Sequence, residues 1–254
     1  MRNFGYRVKI NPNFLTEFFT FYKKCLNSLE IKLTNDMLHA PCMEHIIRIS
    51  TAYEFKHLSF HAPKKAFYTE SDYNLSLLFL NSNNEFSGNI FVTHFYSDIP
   101  YKTDYITSIV KKAKTQNVKV AVENVEVKIN LFDYLTQLKN FVTQYNTKVC
   151  LDIGHLLYSA NRCNIQNEEL ISFFQNDIWW FENVVEIHMH DFNNVECHLN
   201  IGNGITNFDD IIHLLAIFEE SCPIILETTV SDLSTQGVHE ILTLKERIHE
   251  NADN

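Results

Sequence analysis

No two of the six cysteines in this 254-residue chain form a C-x-x-C pair; Cys25, Cys42, Cys150, Cys163, Cys197 and Cys222 are scattered. That spacing leaves out a dense disulfide framework and suits free thiols in a reducing compartment. No stretch approaches the ~20 apolar residues of a membrane span, and MRNFGYRVKINPN lacks the apolar run of a signal peptide. A soluble, cytoplasmic protein without a membrane partner is expected. Positive charge is also scarce: 21 Lys and Arg stand against 31 Asp and Glu, for a formal charge of -10. This argues against broad electrostatic capture of nucleic acid, leaving room only for a local basic groove. No linker, charge block or low-complexity segment divides the chain, so one domain over residues 1–254 is expected. Aromatics are plentiful, with twenty Phe and eleven Tyr. That excludes a disordered, highly charged chain and leaves ample material for a core at this length.

Short β-rich runs alternate with longer amphipathic stretches. The candidate strands are YRVKI (6–10), LEIKL (29–33), HLSFHA (57–62), NIFVTHF (89–95), KVAVENV (119–125), KVCLDIG (148–154), VVEIHMHD (184–191) and PIILETT (223–229). Several are rich in Val and Ile, as parallel strands covered by helices should be. Each interval holds one helix-like segment, such as TDYITSIVKKAKTQN, LFDYLTQLKNFVTQYN or FDDIIHLLAIFEES, and VHEILTLKERIHEN follows the last strand. Eight strand–helix units in about 250 residues describe a (β/α)8 TIM barrel. An open doubly wound sheet shows the same alternation; the placement of polar residues decides between them.

In a parallel barrel, functional side chains stand at the C-terminal ends of the strands and in the following loops. Strand three ends in His61, strand four in His94, strand five in Glu123 and strand six in Asp152, with His155 just beyond. Strand seven carries His188, the next loop carries Glu196 and His198, and strand eight ends in Glu227. A lone His on an apolar strand is usually a core residue. A carboxylate inside VAVENV or IILETT is harder to dismiss, because a buried carboxylate needs a cation or hydrogen bonds. Nine nitrogen and oxygen donors at one rim point to a shared metal site. Zinc suits the set first, and manganese, iron or magnesium are accepted too.

Three of only six glycines, Gly154, Gly202 and Gly204, fall within the ligand-bearing loops. His39, His45, His57, His213, His239 and His249 occupy helix-like or strand-entry positions and read as structural or solvent-facing. His190 shares a strand face with His188, which leaves both a supporting role and ligation open. The Trp pair of IWWFENVV (178–185) reads as helix core, with an interface as the alternative.

Seven motifs, SFHAP (59–63), VTHFY (92–96), AVENVE (121–126), CLDIGH (150–155), IHMHD (187–191), ECHLNIGNG (196–204) and ILETT (225–229), together resemble the xylose isomerase-like TIM-barrel superfamily. That superfamily includes the endonuclease IV family and many sugar isomerases and epimerases. The endonuclease IV resemblance implies a three-metal cluster. His61 and His94 would bind a first ion, and Glu123 would bridge it to a second held by Asp152, His188 and Glu227. His155, Glu196 and His198 would hold the third; the family usually has Asp where Glu196 stands. Ala62-Pro63-Lys64-Lys65 and LTNDMLHAPC replace the family's wedge residues and Arg-containing loop. Of five arginines, only Arg162 is placed near the mouth, so the sequence argues against gripping a kinked DNA duplex.

The first expectation is therefore a multinuclear metal hydrolase of small phosphoesters, in which the ions activate water and neutralise developing charge. The alternative is a sugar or sugar-phosphate isomerase or epimerase with one ion on Glu123, Asp152, His188 and Glu227. There Glu123 and Glu227 would act as catalytic acid and base while His155 contacts substrate. An oxidative multi-iron enzyme ranks last. In either leading case the partner is a small molecule.

Overall fold

The computed structural model describes residues 3–9, 27–34, 55–82, 89–218, 221–228, 240, 242–246 and 248. Eight parallel strands close into a barrel in sequence order. They are β1 (Phe4–Lys9), β2 (Ser28–Lys32), β3 (His57–His61), β4 (Ile90–Phe95), β5 (Lys119–Asn124), β6 (Lys148–Asp152), β7 (Val184–Met189) and β8 (Ile224–Leu226). The closing pair is β1 with β8, in the register Gly5↔Ile225, which excludes the open sheet. Between the strands lie α1 (Glu70–Ser82), α2 (Thr103–Thr115), α3 (Leu131–Tyr145), α4 (Ile153–Cys163), α5 (Asn167–Gln175), α6 (Ile178–Asn183) and α7 (Phe208–Ile217). No described helix is long and apolar enough to cross a membrane.

Each helix buries the stripe its sequence spacing dictates. On α2 the buried residues are Ile106, Ile109 and Ala113, and on α7 they are Ile211, Leu214 and Leu215. These meet the outward-facing strand residues, among them Phe60, Phe91, Val122, Leu151 and Ile187. Burying a side chain of this kind contributes about 1.5–3 kcal/mol, so this annulus carries the barrel. Asparagine does much of the work that glycine does elsewhere. Asn146 and Asn164 cap α3 and α4 in the left-handed region, and Asn117 follows α2 in the same conformation. Asn tolerates that conformation because its short side chain bonds locally. Scarce glycine thus places no penalty on the helix ends.

The interval from β6 to β7 departs from the one-helix expectation, because it holds α4, α5 and α6. The left-handed Asn164 ends α4, a reciprocal capping box between Gln166 and Glu169 starts α5, and Asp177 caps α6 by accepting from the Trp179 N–H. Trp180 is fully buried, whereas Ile178 and Phe181 of the same helix are exposed. Four cysteines, Cys150, Cys163, Cys197 and Cys222, are free thiols among the described residues. The segment 35–42, most of LTNDMLHAPC, lies outside the described residues, as do His39, His45, His239 and His249.

Barrel interiors are normally filled by layers of Val, Ile and Leu. Among the described residues the side formed by Ile90, Val92, Ala121 and Cys150 follows that rule most closely, as a small cluster separate from the outer core. Elsewhere the fully buried residues of β2, β3 and β7 include Ser28, Glu30, Ser59 and Glu186. Buried carboxylates require partners, and those partners lead to the rim.

Candidate metal centre

Strand register sets the site. His94 lies beside Glu123 across β4 and β5, and Asp152 beside His188 across β6 and β7. The Glu227 N–H donates to the Met189 carbonyl, which brings the end of β8 level with them. Glu123, Asp152, His188 and Glu227 each offer a ligand atom, and the four atoms lie within 4.8 Å of one another. All four side chains are buried. A second group, His61, His94 and Glu123, adjoins the first through the shared Glu123, with His61 Nε2 2.7 Å and His94 Nε2 3.5 Å from Glu123 Oε2. Glu123 Oε1 and Asp152 Oδ2 are buried without a hydrogen-bond partner. Oxygen atoms left bare at that depth are what a cation would satisfy, so the donor set fits a divalent ion.

The imidazoles are preset for ligation. His61 is held between the Ala62 carbonyl, 2.8 Å from Nδ1, and Glu123 Oε2, 2.7 Å from Nε2, so that Nε2 faces the site. His188 is arranged the other way: Nε2 faces Glu186 Oε1 at 2.8 Å and Glu30 Oε2 at 3.2 Å, leaving Nδ1 for the site. Below it, His57 pairs with Glu186. A metal-binding His commonly donates its other N–H to a carboxylate in this manner. His57 therefore has a structural role, but one that faces inward. The Cys150 thiol, 3.9 Å from Glu186, is pushed well up by burial and stays protonated.

Asp152 does two jobs. Its Oδ1 accepts from the His155 N–H at 2.8 Å and caps α4. Asn124 clasps its backbone from β5, donating to the Asp152 carbonyl and accepting from the Asp152 N–H. Asp191 builds the following loop by accepting from the N–H groups of Phe192, Gly202, Gly204 and Thr206 and from the Thr206 hydroxyl. A Cβ on Gly204 would collide with the Asp191 carboxylate and the Phe192 carbonyl. The loop delivers His198 in a left-handed conformation with φ 63°.

Two placements differ from the sequence reading. Glu196 is exposed on this loop, and the group around His155 and His198 contains His190 instead. Arg162 does line the mouth, its guanidinium 4.8 Å above the Tyr158 ring, but it is not alone there. Arg7, on β1, sends its guanidinium to the centre of the site. It pairs with Glu30 and Glu227, lies 3.5 Å from Glu123 Oε2, and approaches His188 Nδ1 to 3.0 Å. Burial alone would raise the Glu123 carboxyl, but the charges of His94, His188 and Arg7 outweigh it and hold it well below the carboxylate range. Glu227 is likewise held well down: burial is outweighed chiefly by Arg7. Arg7, Glu30, Glu186 and Asn124 were missed from sequence. For the first three the usable signal was a charged residue at an inward position of an otherwise apolar strand.

A cavity of about 1440 Å³ adjoins the site, lined by Arg7, His94, His155, His198 and Glu227 together with Tyr96, Tyr134 and Tyr158 among others; Glu123, Asp152 and His188 lie behind this lining. Lys64, on its rim, is exposed, as is Lys65 beside it. The volume exceeds the ~300–1,000 Å³ usual for a small-molecule pocket.

A family model described as xylose isomerase-like TIM barrel matches residues 101–248. No curated protein matches the sequence. Among solved structures, the IOLI protein with a bound zinc atom superposes with a TM-score of 0.67 at 15% identity, covering 98% of this chain and 97% of that one. D-psicose 3-epimerase in the presence of D-fructose gives 0.59 at 12% identity, covering 99% and 96%. A xylose isomerase-like TIM barrel protein from Mycobacterium smegmatis in complex with magnesium gives 0.58 at 10% identity, covering 95% and 90%. At these identities the likeness is one of fold.

Proposed function

This chain belongs to the xylose isomerase-like TIM barrel family, and from that premise we propose that it is a divalent-metal-dependent isomerase or epimerase of a sugar or sugar phosphate. The observation that carries the reading is the convergence of Glu123, Asp152, His188 and Glu227, the last of which lines a large cavity together with His94 and Arg7. The sequence alone ranks phosphoester hydrolysis first. The fold shared with a sugar epimerase, over nearly the whole of both chains, favours the other order.

A divalent ion held by the four residues would polarise a substrate carbonyl and its neighbouring hydroxyl. The chain's own groups then have defined tasks. The Glu123 carboxylate, with Oε2 among His61, His94 and His188, is the group that accepts a proton from the carbon next to the carbonyl. Glu227, three strands away around the barrel, is the second carboxylate and returns a proton to that carbon or its neighbour. Arg7 keeps both ionised between turnovers. His155 and the cavity tyrosines bind the sugar hydroxyls.

Deuterium exchange tests this. Metal-loaded protein incubated with ketohexoses and their phosphates in D2O should introduce deuterium next to the carbonyl, and Glu123→Gln should abolish the exchange. No exchange on any of them, together with metal-dependent cleavage of bis-p-nitrophenyl phosphate, would replace this reading with hydrolysis. One observation favours that second reading: Glu123 belongs to two adjoining ligand groups, the arrangement that a bridged pair of ions requires.

A further inference from the structure

We propose that Arg7 couples the metal centre to an anion site in the adjoining cavity, so that a divalent ion and an oxyanion bind cooperatively. This coupling rests on the quartet of the proposed function holding the ion, but not on the reaction catalysed there. Its basis is the position of one nitrogen. Arg7 Nη2 is paired with Glu227 Oε1 and lies 3.0 Å from His188 Nδ1 and 3.5 Å from Glu123 Oε2. Three of the four candidate ligands meet at that nitrogen, which takes the place a cation among them would fill.

The guanidinium is anchored elsewhere by its Nε, which pairs with Glu30, its register partner across β1 and β2. Glu30 is not one of the four. A divalent ion that takes Glu123, His188 and Glu227 therefore displaces Nη2 and leaves Nε held. The displaced edge then needs a new acceptor, because a buried polar group without one is costly. Arg7 itself lines the cavity, and so does Lys32, two residues beyond Glu30 on β2 and hence on the same inward face. The alternate residues Leu29, Ile31 and Leu33 pack into the outer core. Lys64, after β3, adds a third cation on the rim. Three neighbouring strands thus bring positive charge to one cavity in a chain of net charge -10. A guanidinium fork bonds two oxygens of a phosphate or carboxylate at once, which defines the ligand class.

Cooperativity follows from the charges. Without the ion, an oxyanion approaching Arg7 meets the Glu227 carboxylate, and the guanidinium is already engaged by Glu30 and Glu227. With the ion in place, that carboxylate is neutralised and one edge of the fork is released. Each ligand improves the site for the other, by the same factor in both directions.

Calorimetric titration of the chelator-stripped full chain with Mn2+ tests this, at constant ionic strength in chloride alone, with sulfate and with acetate. Saturating sulfate or acetate should tighten Mn2+ binding about fivefold or more. The larger factor with sulfate assigns the site to a phosphate-type ligand, and with acetate to a carboxylate. Arg7→Met should show less than about a twofold change with either anion, below the range of such couplings. Equal Mn2+ affinity in all three media overturns the proposal and leaves the quartet as a metal site. Undiminished coupling in Arg7→Met also overturns it, since the anion would then sit on the ion itself. No Mn2+ binding in any medium removes the quartet and the coupling together. Crystals of the wild type holding Mn2+ and sulfate decide the matter if Arg7→Met fails to fold. The guanidinium should bond Glu30 and the anion; Arg7 still paired with Glu227 beside the bound ion overturns the proposal.

Discussion

The guanidinium of Arg7 is ion-paired with Glu227, joining the first strand of the barrel to the last at the point where the candidate ligands meet. A fixed positive charge thus stands among three buried carboxylates, Glu30, Glu123 and Glu227. An arriving divalent cation must share those carboxylates with it. Arg7→Met should therefore raise affinity for Mn2+ about tenfold or more, equivalent to about 1.4 kcal/mol. The same change should destabilise the metal-free protein by about 3 kcal/mol, because it strands buried charge. Calorimetric titration and thermal melting, with and without ion, read both effects. Unchanged affinity would mean that Arg7 and the ion do not compete.

Glu186 acts through His188. Its carboxylate faces His188 Nε2 at 2.8 Å and fixes which ring nitrogen turns to the site. Replacing such a partner costs about 10- to 100-fold in metal affinity. Glu186→Gln should lose affinity in that range, while Cys150→Ser, equally buried beside Glu186, should lose much less. Equal losses in the two variants would reduce Glu186 to packing.

The Asp152–His190 pair sets a pH window for the metal-free protein. Burial would raise the Asp152 carboxyl, but the neighbouring His155 and His190 charges bring it down to about 2. Its stabilisation is complete above the ordinary carboxyl value of ~3.9 and is lost as pH falls toward 2. Burial would lower His190, but the Asp152 carboxylate outweighs it and raises the imidazole to about 9. That stabilisation is complete below ~6.5 and is lost as pH rises through 9. Chelator-treated protein should gain most from the pair between about pH 4 and 6.5. Outside that window its melting temperature should fall, on the order of 5 °C on each side. Asp152→Asn should flatten both limbs; an unaltered curve would show that the pair does not set it.

Gly204→Ala should loosen the loop that carries His198, since the added Cβ meets the Asp191 carboxylate and the Phe192 carbonyl. A cost of about 1–3 kcal/mol follows from such overpacking. Reduced protection of the Gly202 and Gly204 amides against hydrogen exchange would accompany it. A variant with wild-type stability and protection would show that the loop is not built on Asp191.

The barrel was legible because strand and helix periods alternate through the chain, and the rim donors because each sits at the C-terminal end of an apolar run. His61, His94, Glu123, Asp152, His188 and Glu227 fall together for that reason. The loop after β7 was not legible. Whether Glu196 or His190 joins His155 and His198 depends on which way Asp191 folds the chain, and spacing carries no record of that. Arg7 escaped notice because it precedes the motif-bearing strands, and only closure of β1 onto β8 brings it to the site. The three helices between β6 and β7 were compressed into one because their breaks rest on Asn164 and Asp177 rather than on Gly or Pro.

The central claim is that Glu123, Asp152, His188 and Glu227 converge to hold a divalent cation. Anomalous diffraction from crystals grown or soaked with Mn2+ tests it most directly. The account predicts a strong peak within bonding distance of those four side chains. Ordered density for all four side chains with no peak among them, or a peak bound elsewhere with the four facing apart, would contradict it.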